Sequence, residues 1–264
     1  MRRTGELDIV EAALLVAAEE YRNLDVDEQR NEISAYGEEL ARRMARIANP
    51  FARLDGLRGY LAEELGLDGN TADYYDPRNS FVNEVVGRGL GIPLTLSLLY
   101  VDVARRAGLQ ARGVALPGHF VVRLDLGDRR LLIDPFRHGE LVSEEDCREL
   151  VRRSTGRASL YRSELLEGCG EREMLTRLLR NLKGIYLARK DHERALAAVE
   201  RLLLIQPHET AELRDRGFLL AHLDRPGAAM TDLESYLDLA PDAPDAASVR
   251  GRIAWLRRRI SETN

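Results

Sequence analysis

The chain has 264 residues with 44% apolar content, enough for one large packed domain or two ordinary ones. Its formal charge of −5 supplies no overall basic field, which disfavours a nucleic-acid duplex or an anionic membrane as partner. Two cysteines, Cys147 and Cys169, are too few for a disulfide framework and form no CxxC pair, so a reducing compartment, the cytoplasm, is expected. No stretch approaches the roughly 18 uninterrupted apolar residues of a membrane span, and Glu6, Asp8 and Glu11 interrupt the only segment placed to be a signal core. Of the 39 basic residues only Lys183 and Lys190 are lysines, so runs such as Arg257 to Arg259 follow a general preference for arginine and mark no phosphate site.

In chain order, helical periodicity predicts helices near 8–22, 27–48 and 50–66, the last two separated by Asn49 and Pro50. A polar loop then leads to Tyr74, Tyr75 and Asp76, where Asp76 reads as a helix N-cap and Pro77 as the first helical residue of a helix reaching about Val86. Gly87, Gly89 and Gly91 break that pattern. After Pro93 the run from Leu94 to Ala107 is apolar on most of its circumference and predicts a buried helix. Three short β segments follow, 111–116, 120–126 and 130–133, separated by Pro117-Gly118 and Gly127-Asp128, and predict a small antiparallel sheet on that helix. Ser143 and Asp146 have capping-box spacing, which puts Cys147 on a short helix. Residues 156–170 show no pattern and read as a connector.

From residue 171 the chain is helical and repeats at a 34-residue shift, with Ala195 on Ala229, Pro207 on Pro241 and Leu179 on Leu213. Helices near 175–189, 192–204, 209–223, 227–239 and 246–260 follow, as two tetratricopeptide-type units and a terminal helix carrying Trp255. Small residues let the two helices of a unit approach, and proline ends the second. Lys183 and Arg216 depart from the pattern, standing where a small residue and a leucine are usual. An all-helical bundle with a chance period is the alternative. A repeat module of this kind implies a protein or peptide partner.

Chemistry of the Cys-His-Asp kind needs a nucleophile beside a base, and a carboxylate that orients the base. If Gly127-Asp128 is a two-residue hairpin turn, His119 stands opposite Phe136 and shares a face with Asp134, as diagonal neighbours with β-carbons within roughly 7–8 Å. A shift of one residue would separate them. The alternative is a histidine and an aspartate satisfying local backbone groups at strand ends. A metal site from His119, Asp134 and His138 is conceivable, but nothing in the spacing favours it, and neither metal nor cofactor is expected.

The runs Tyr75-Asp76-Pro77-Arg78-Asn79-Ser80-Phe81, Gly91-Ile92-Pro93-Leu94-Thr95-Leu96, Pro117-Gly118-His119-Phe120 and Ile133-Asp134-Pro135-Phe136 resemble the bacterial SirB family over roughly residues 8–262. The resemblance implies an α+β chain: a helical N-terminal region and papain/transglutaminase-like domain with a small antiparallel sheet (1–155), the connector (156–170), and an all-α tetratricopeptide-type module (171–264). It also implies a nucleophilic cysteine at the start of the buried helix, an Arg-x-x-Gly near that helix's end, and the histidine and aspartate on strands. Arg105 to Gly108, His119 and Asp134 match those elements. The nucleophile's place falls near Pro93, and no cysteine precedes Cys147. The nearest hydroxyls are Thr95 and Ser97, which either substitute for the thiol or simply pack in a buried helix; Cys147 and Cys169 read as structural thiols.

Asp76, Arg78, Asn79, Asn83 and Glu84 form a polar cluster before the buried helix. It either lines the cleft beside His119 or caps and braces the helix entry. The expectation is a regulatory or scaffolding pseudoenzyme that binds a protein or peptide segment. The alternative is an active amidase, peptidase or acyltransferase using Thr95 or Ser97 with His119 and Asp134.

Overall fold

The computed structural model describes residues 7–263, and the chain divides into two compact units at Leu178/Leu179. The first is α+β. Helices α1 (Ile9–Glu20), α2 (Val26–Met44) and α3 (Pro50–Arg58) begin at Asp8, Asp25 and Asn49, whose side chains accept from backbone N–H groups of the first turn. The expected helix 50–66 changes pitch partway: Gly59–Glu64 continues α3 as a π-helical turn, with Leu65 N donating to Tyr60 O.

The segment from Asp76 departs from the expected single helix. Pro77–Ser80 is a 3-10 turn capped by Asp76, the chain breaks at Phe81, and α4 (Val82–Arg88) starts afresh. The physical reason is Asn79, whose carbonyl accepts from Thr95 Oγ1 at 2.7 Å across the fold instead of from the next helical turn. Two short strands, β1 (Asp68–Gly69) and β2 (Leu90–Gly91), pair in parallel on either side of this region. Neither is visible as a hydrophobic pattern in the sequence.

Helix α5 (Pro93–Arg106) is the centre of the first unit, with every residue from Pro93 to Ala104 buried. Helices α1 and α2 pack on it, as does the sheet β3 (Gln110–Leu116), β4 (His119–Leu126), β5 (Arg129–Asp134), β6 (Glu140–Val142), antiparallel throughout and in sequence order. β6 adds a strand to the expected three. The β4–β5 register, Leu126 opposite Arg129 and Val122 opposite Ile133, is that of a two-residue turn at Gly127 and Asp128. The sheet is buried on both faces: Phe120, Val122, Leu124 and Ile133 join the core around α5, whereas Leu116, Val121, Leu132 and Val142 meet Cys147 and Val151 of α6 (Glu144–Thr155).

Residues 156–170, read from sequence as a connector, lie in the first unit and are bonded to its sheet. The Arg123 guanidinium donates to Leu166 O and Glu167 O, and Cys169 N donates to Gly113 O at 2.7 Å. Helix α7 (Glu171–Ala188) runs across the division between the units.

The second unit is all helical, with α8 (His192–Ile205), α9 (Thr210–His222), α10 (Pro226–Leu239) and α11 (Ala246–Thr263). Ala195 and Ala229, the repeated small residues, are wholly buried. Gly217 lets α9 and α10 close up, since a β-carbon there would stand 2.7 Å from the Leu233 side chain. The two departures from the repeat are compensated by charge: Lys183 Nζ donates to Glu212 and Asp215 at 2.7 and 2.9 Å, and Arg216 makes a two-pronged pair with Asp232 at 2.6 Å. Ala246, Val249, Ile253 and Leu256 of α11 are buried, whereas Trp255 lies off that line and stays 39% exposed. Among the described residues no helix is long and apolar enough to cross a membrane.

Candidate functional site

His119 opens β4 immediately after the Pro117-Gly118 turn, and Asp134 closes β5. Gly118 has φ +76°, which that tight turn requires and which a side chain would strain. The register places the two residues on one face, with His119 Nε2 2.9 Å from Asp134 Oδ2. Asp134 is wholly buried, and its other oxygen accepts from Phe136 N at 3.1 Å. The carboxylate thus fixes the imidazole through Nε2 and leaves Nδ1 as the nitrogen available to another group. His119 itself is 9% exposed.

Strand alternation sends this pair to the sheet face covered by α6, since Val121 and Leu132 on the same face pack with Cys147. The Cys147 thiol is wholly buried there. Burial pushes its thiol up to about 12, and the charges of Asp134, Asp146 and Glu144 push the same way. A thiol held protonated does not attack. The Cys169 thiol is likewise raised to about 12 by burial.

Pro93 is the first residue of α5, the place that the family resemblance assigns to a nucleophile. Thr95 and Ser97 are both wholly buried. The Thr95 hydroxyl is committed to backbone: it donates to Asn79 O and receives Ile92 N at 3.2 Å. Ser97 Oγ has no hydrogen-bond partner. Neither hydroxyl is bonded to His119. His138, the third residue of the metal set considered above, points instead to Asp68, Nε2 to Oδ1 at 3.2 Å, with its side chain 59% exposed.

The polar cluster is a brace around Asn79, which is wholly buried and fully bonded. Its Oδ1 accepts from Asn70 Nδ2 at 3.0 Å and from the Arg88 guanidinium at 3.1 Å, while its Nδ2 donates to Asp73 O and Tyr74 O. Asp76 receives Arg78 Nε at 2.9 Å, and the Arg78 guanidinium holds its carboxyl below the usual aspartate range. Arg88 links this pair to Glu84, lying 3.8 Å from Asp76 and 4.0 Å from Glu84. Glu84 with burial raises the Tyr21 hydroxyl to about 12, burial being the larger cause. Asn83 sits beside the network with its Oδ1 buried and unpartnered.

An aromatic track connects the brace to the pair. Tyr75, 81% exposed, meets Tyr74 edge-to-face at 5.3 Å; Tyr74 meets Phe136 at 5.9 Å; Phe136 meets His119 at 6.1 Å. Tyr74 and Phe136 were not singled out from sequence, although both sit inside or beside the motif runs. The loop position of Tyr74-Tyr75, bulky rings where a polar turn is usual, was the available signal.

Comparison with known proteins gives two family matches along the chain. Residues 27–180 match a model of the transglutaminase-like superfamily, and residues 182–254 match a tetratricopeptide repeat model. A UPF0162 protein of Xylella fastidiosa is 34% identical over 261 residues, covering 98% of this chain and 93% of the relative. Protein SirB1 of Salmonella typhimurium is 26% identical over 174 residues, 66% of this chain and 64% of that protein. F-box only protein 21 of Mus musculus is 35% identical over 107 residues, 37% of this chain and 17% of that protein. No solved structure matches the chain.

Proposed function

Because the chain belongs to the transglutaminase-like superfamily and, within it, to the SirB family, we propose that it acts by binding rather than by turnover, as a regulatory or scaffolding protein. The observation that carries this reading is the committed state of α5. A proline stands at its first position, the Thr95 hydroxyl is bonded to Asn79 O, and Ser97 Oγ is buried without a hydrogen-bond partner. A base and its orienting carboxylate without a nucleophile cannot start covalent catalysis. The surface beside that pair suits a polypeptide segment: the aromatic track that runs from exposed Tyr75 through Tyr74 and Phe136 to His119, and the exposed Arg78 guanidinium three residues after Tyr75. The repeat module contributes a second surface for the same protein partner.

The alternative, an amidase, peptidase or acyltransferase, draws on the intact His119–Asp134 contact. It needs a hydroxyl within hydrogen-bond reach of Nδ1. The binding reading is tested by selecting peptides from a displayed library with the full chain and measuring the affinity of the best for Tyr75→Ala and Arg78→Ala variants. Both substitutions are expected to weaken binding by about tenfold or more. Peptides indifferent to both would remove this surface from the account.

A further inference from the structure

The terminal helix α11 carries five arginines against one glutamate between Ala246 and Thr263, in a chain whose net charge is −5. A helix that closes a repeat stack needs a polar outer face and no more. Here the outer face holds the chain's single tryptophan. Trp255 is set between two guanidiniums, that of Arg252 at 4.8 Å from the ring centre and that of Arg259 at 5.4 Å. Positions 252, 255 and 259 fall on one stripe of the helix, with Arg258 beside it.

The charges on this stripe are incompletely matched. Arg252 Nε is buried without a hydrogen-bond partner, and Arg258 has no ion-pair partner among the described residues. Arg257 and Arg259 do have counter-ions, Glu234 at 3.0 Å and Asp224 at 2.8 Å, but these pairs lie in solvent, where an incoming carboxylate exchanges with them at little cost.

We propose that this face of α11 is a docking surface for an acidic polypeptide segment of another protein, one that sets carboxylates on Arg252 and Arg258 and an apolar side chain on Trp255. Charge complementarity selects the occupant. A membrane surface would require a broad apolar stripe, and on α11 Val249, Ile253 and Leu256 are buried, which leaves Trp255 as the one large apolar side chain that is exposed among its described residues. A nucleic-acid duplex would require more unmatched cations than two and an overall field of the opposite sign.

Trp255 is its own reporter. The full chain is titrated with a short synthetic peptide of glutamates around a central leucine, following tryptophan emission, with Arg258→Glu as the variant because that side chain is exposed and has no ion pair among the described residues. The expected result is a saturable emission change whose midpoint rises about tenfold in Arg258→Glu and rises again with salt. A second variant, Arg252→Gln, is expected to weaken binding similarly while its circular dichroism stays unchanged. The proposal is overturned by an absent emission change, by an equal response to a glutamine-for-glutamate peptide, or by an unaltered midpoint in Arg258→Glu. It is also overturned if duplex DNA or anionic vesicles bind more tightly than the peptide, or if the chain occupies the face itself by an Arg258-dependent dimer in sedimentation.

Discussion

Asn79 shows how much one buried amide can organise. Its four side-chain bonds and its carbonyl tie the Tyr74 loop, α4 and the entry of α5 together. Asn79→Ala strands several buried partners at once and is expected to cost about 2–4 kcal/mol in urea unfolding. The two hydroxyls of α5 should part company in the same assay. Thr95→Ala loses a buried bond and costs about 1–2 kcal/mol, whereas Ser97→Ala removes a buried oxygen that has no partner and is neutral or stabilising. Asp76 makes a pH prediction. The Arg78 guanidinium lowers its carboxyl below the ordinary aspartate value, so its contribution is complete above that value and is lost as pH falls through the lowered one. Asp76→Asn should therefore lower the unfolding midpoint at neutral pH and have no effect once the medium is acid enough to protonate Asp76. At this scale the sequence showed which polar residues cluster, but not that Asn79 is their hub. Its partners Asn70 and Arg88 are nine residues to either side and meet it only through the fold.

At the scale of elements, the legible parts were those set by period and turn chemistry. The buried α5, the β4–β5 register and the helices of the repeat all follow from local pattern. The parallel pair β1–β2 and the strand β6 were not legible, being two or three residues long and held by partners distant in sequence. Lys183 and Arg216 looked like flaws in the repeat because their counter-charges are far along the chain, Glu212 and Asp232. Arg216→Leu restores the usual residue yet leaves Asp232, 5% exposed, without its guanidinium. A loss of about 3–5 kcal/mol is expected by denaturant titration, and adding Asp232→Ala should recover most of it. An unchanged midpoint for the single variant would show that the pair is not what holds α9 to α10.

At the scale of the whole molecule, α7 serves both units, so the reading of 171 as a domain start has a measurable consequence. Met174 and Leu178 belong to the core of the first unit, exposed by 1% and 0%. A chain ended after Gly170 should melt well below one ended after Ala188, because two buried side chains are removed at about 2–5 kcal/mol each; equal melting temperatures would detach α7 from the first unit. The functional claim rests on the first unit having kept a His–Asp pair and carrying no thiol at α5. It is tested most directly by assaying the full chain for release of ammonia from glutamine amides and for cleavage and acyl transfer on peptide substrates, beside His119→Ala. The account predicts no turnover that distinguishes the two proteins. Turnover lost in His119→Ala, and lost equally in Thr95→Ala or Ser97→Ala, would contradict it and make the chain a hydroxyl-dependent enzyme.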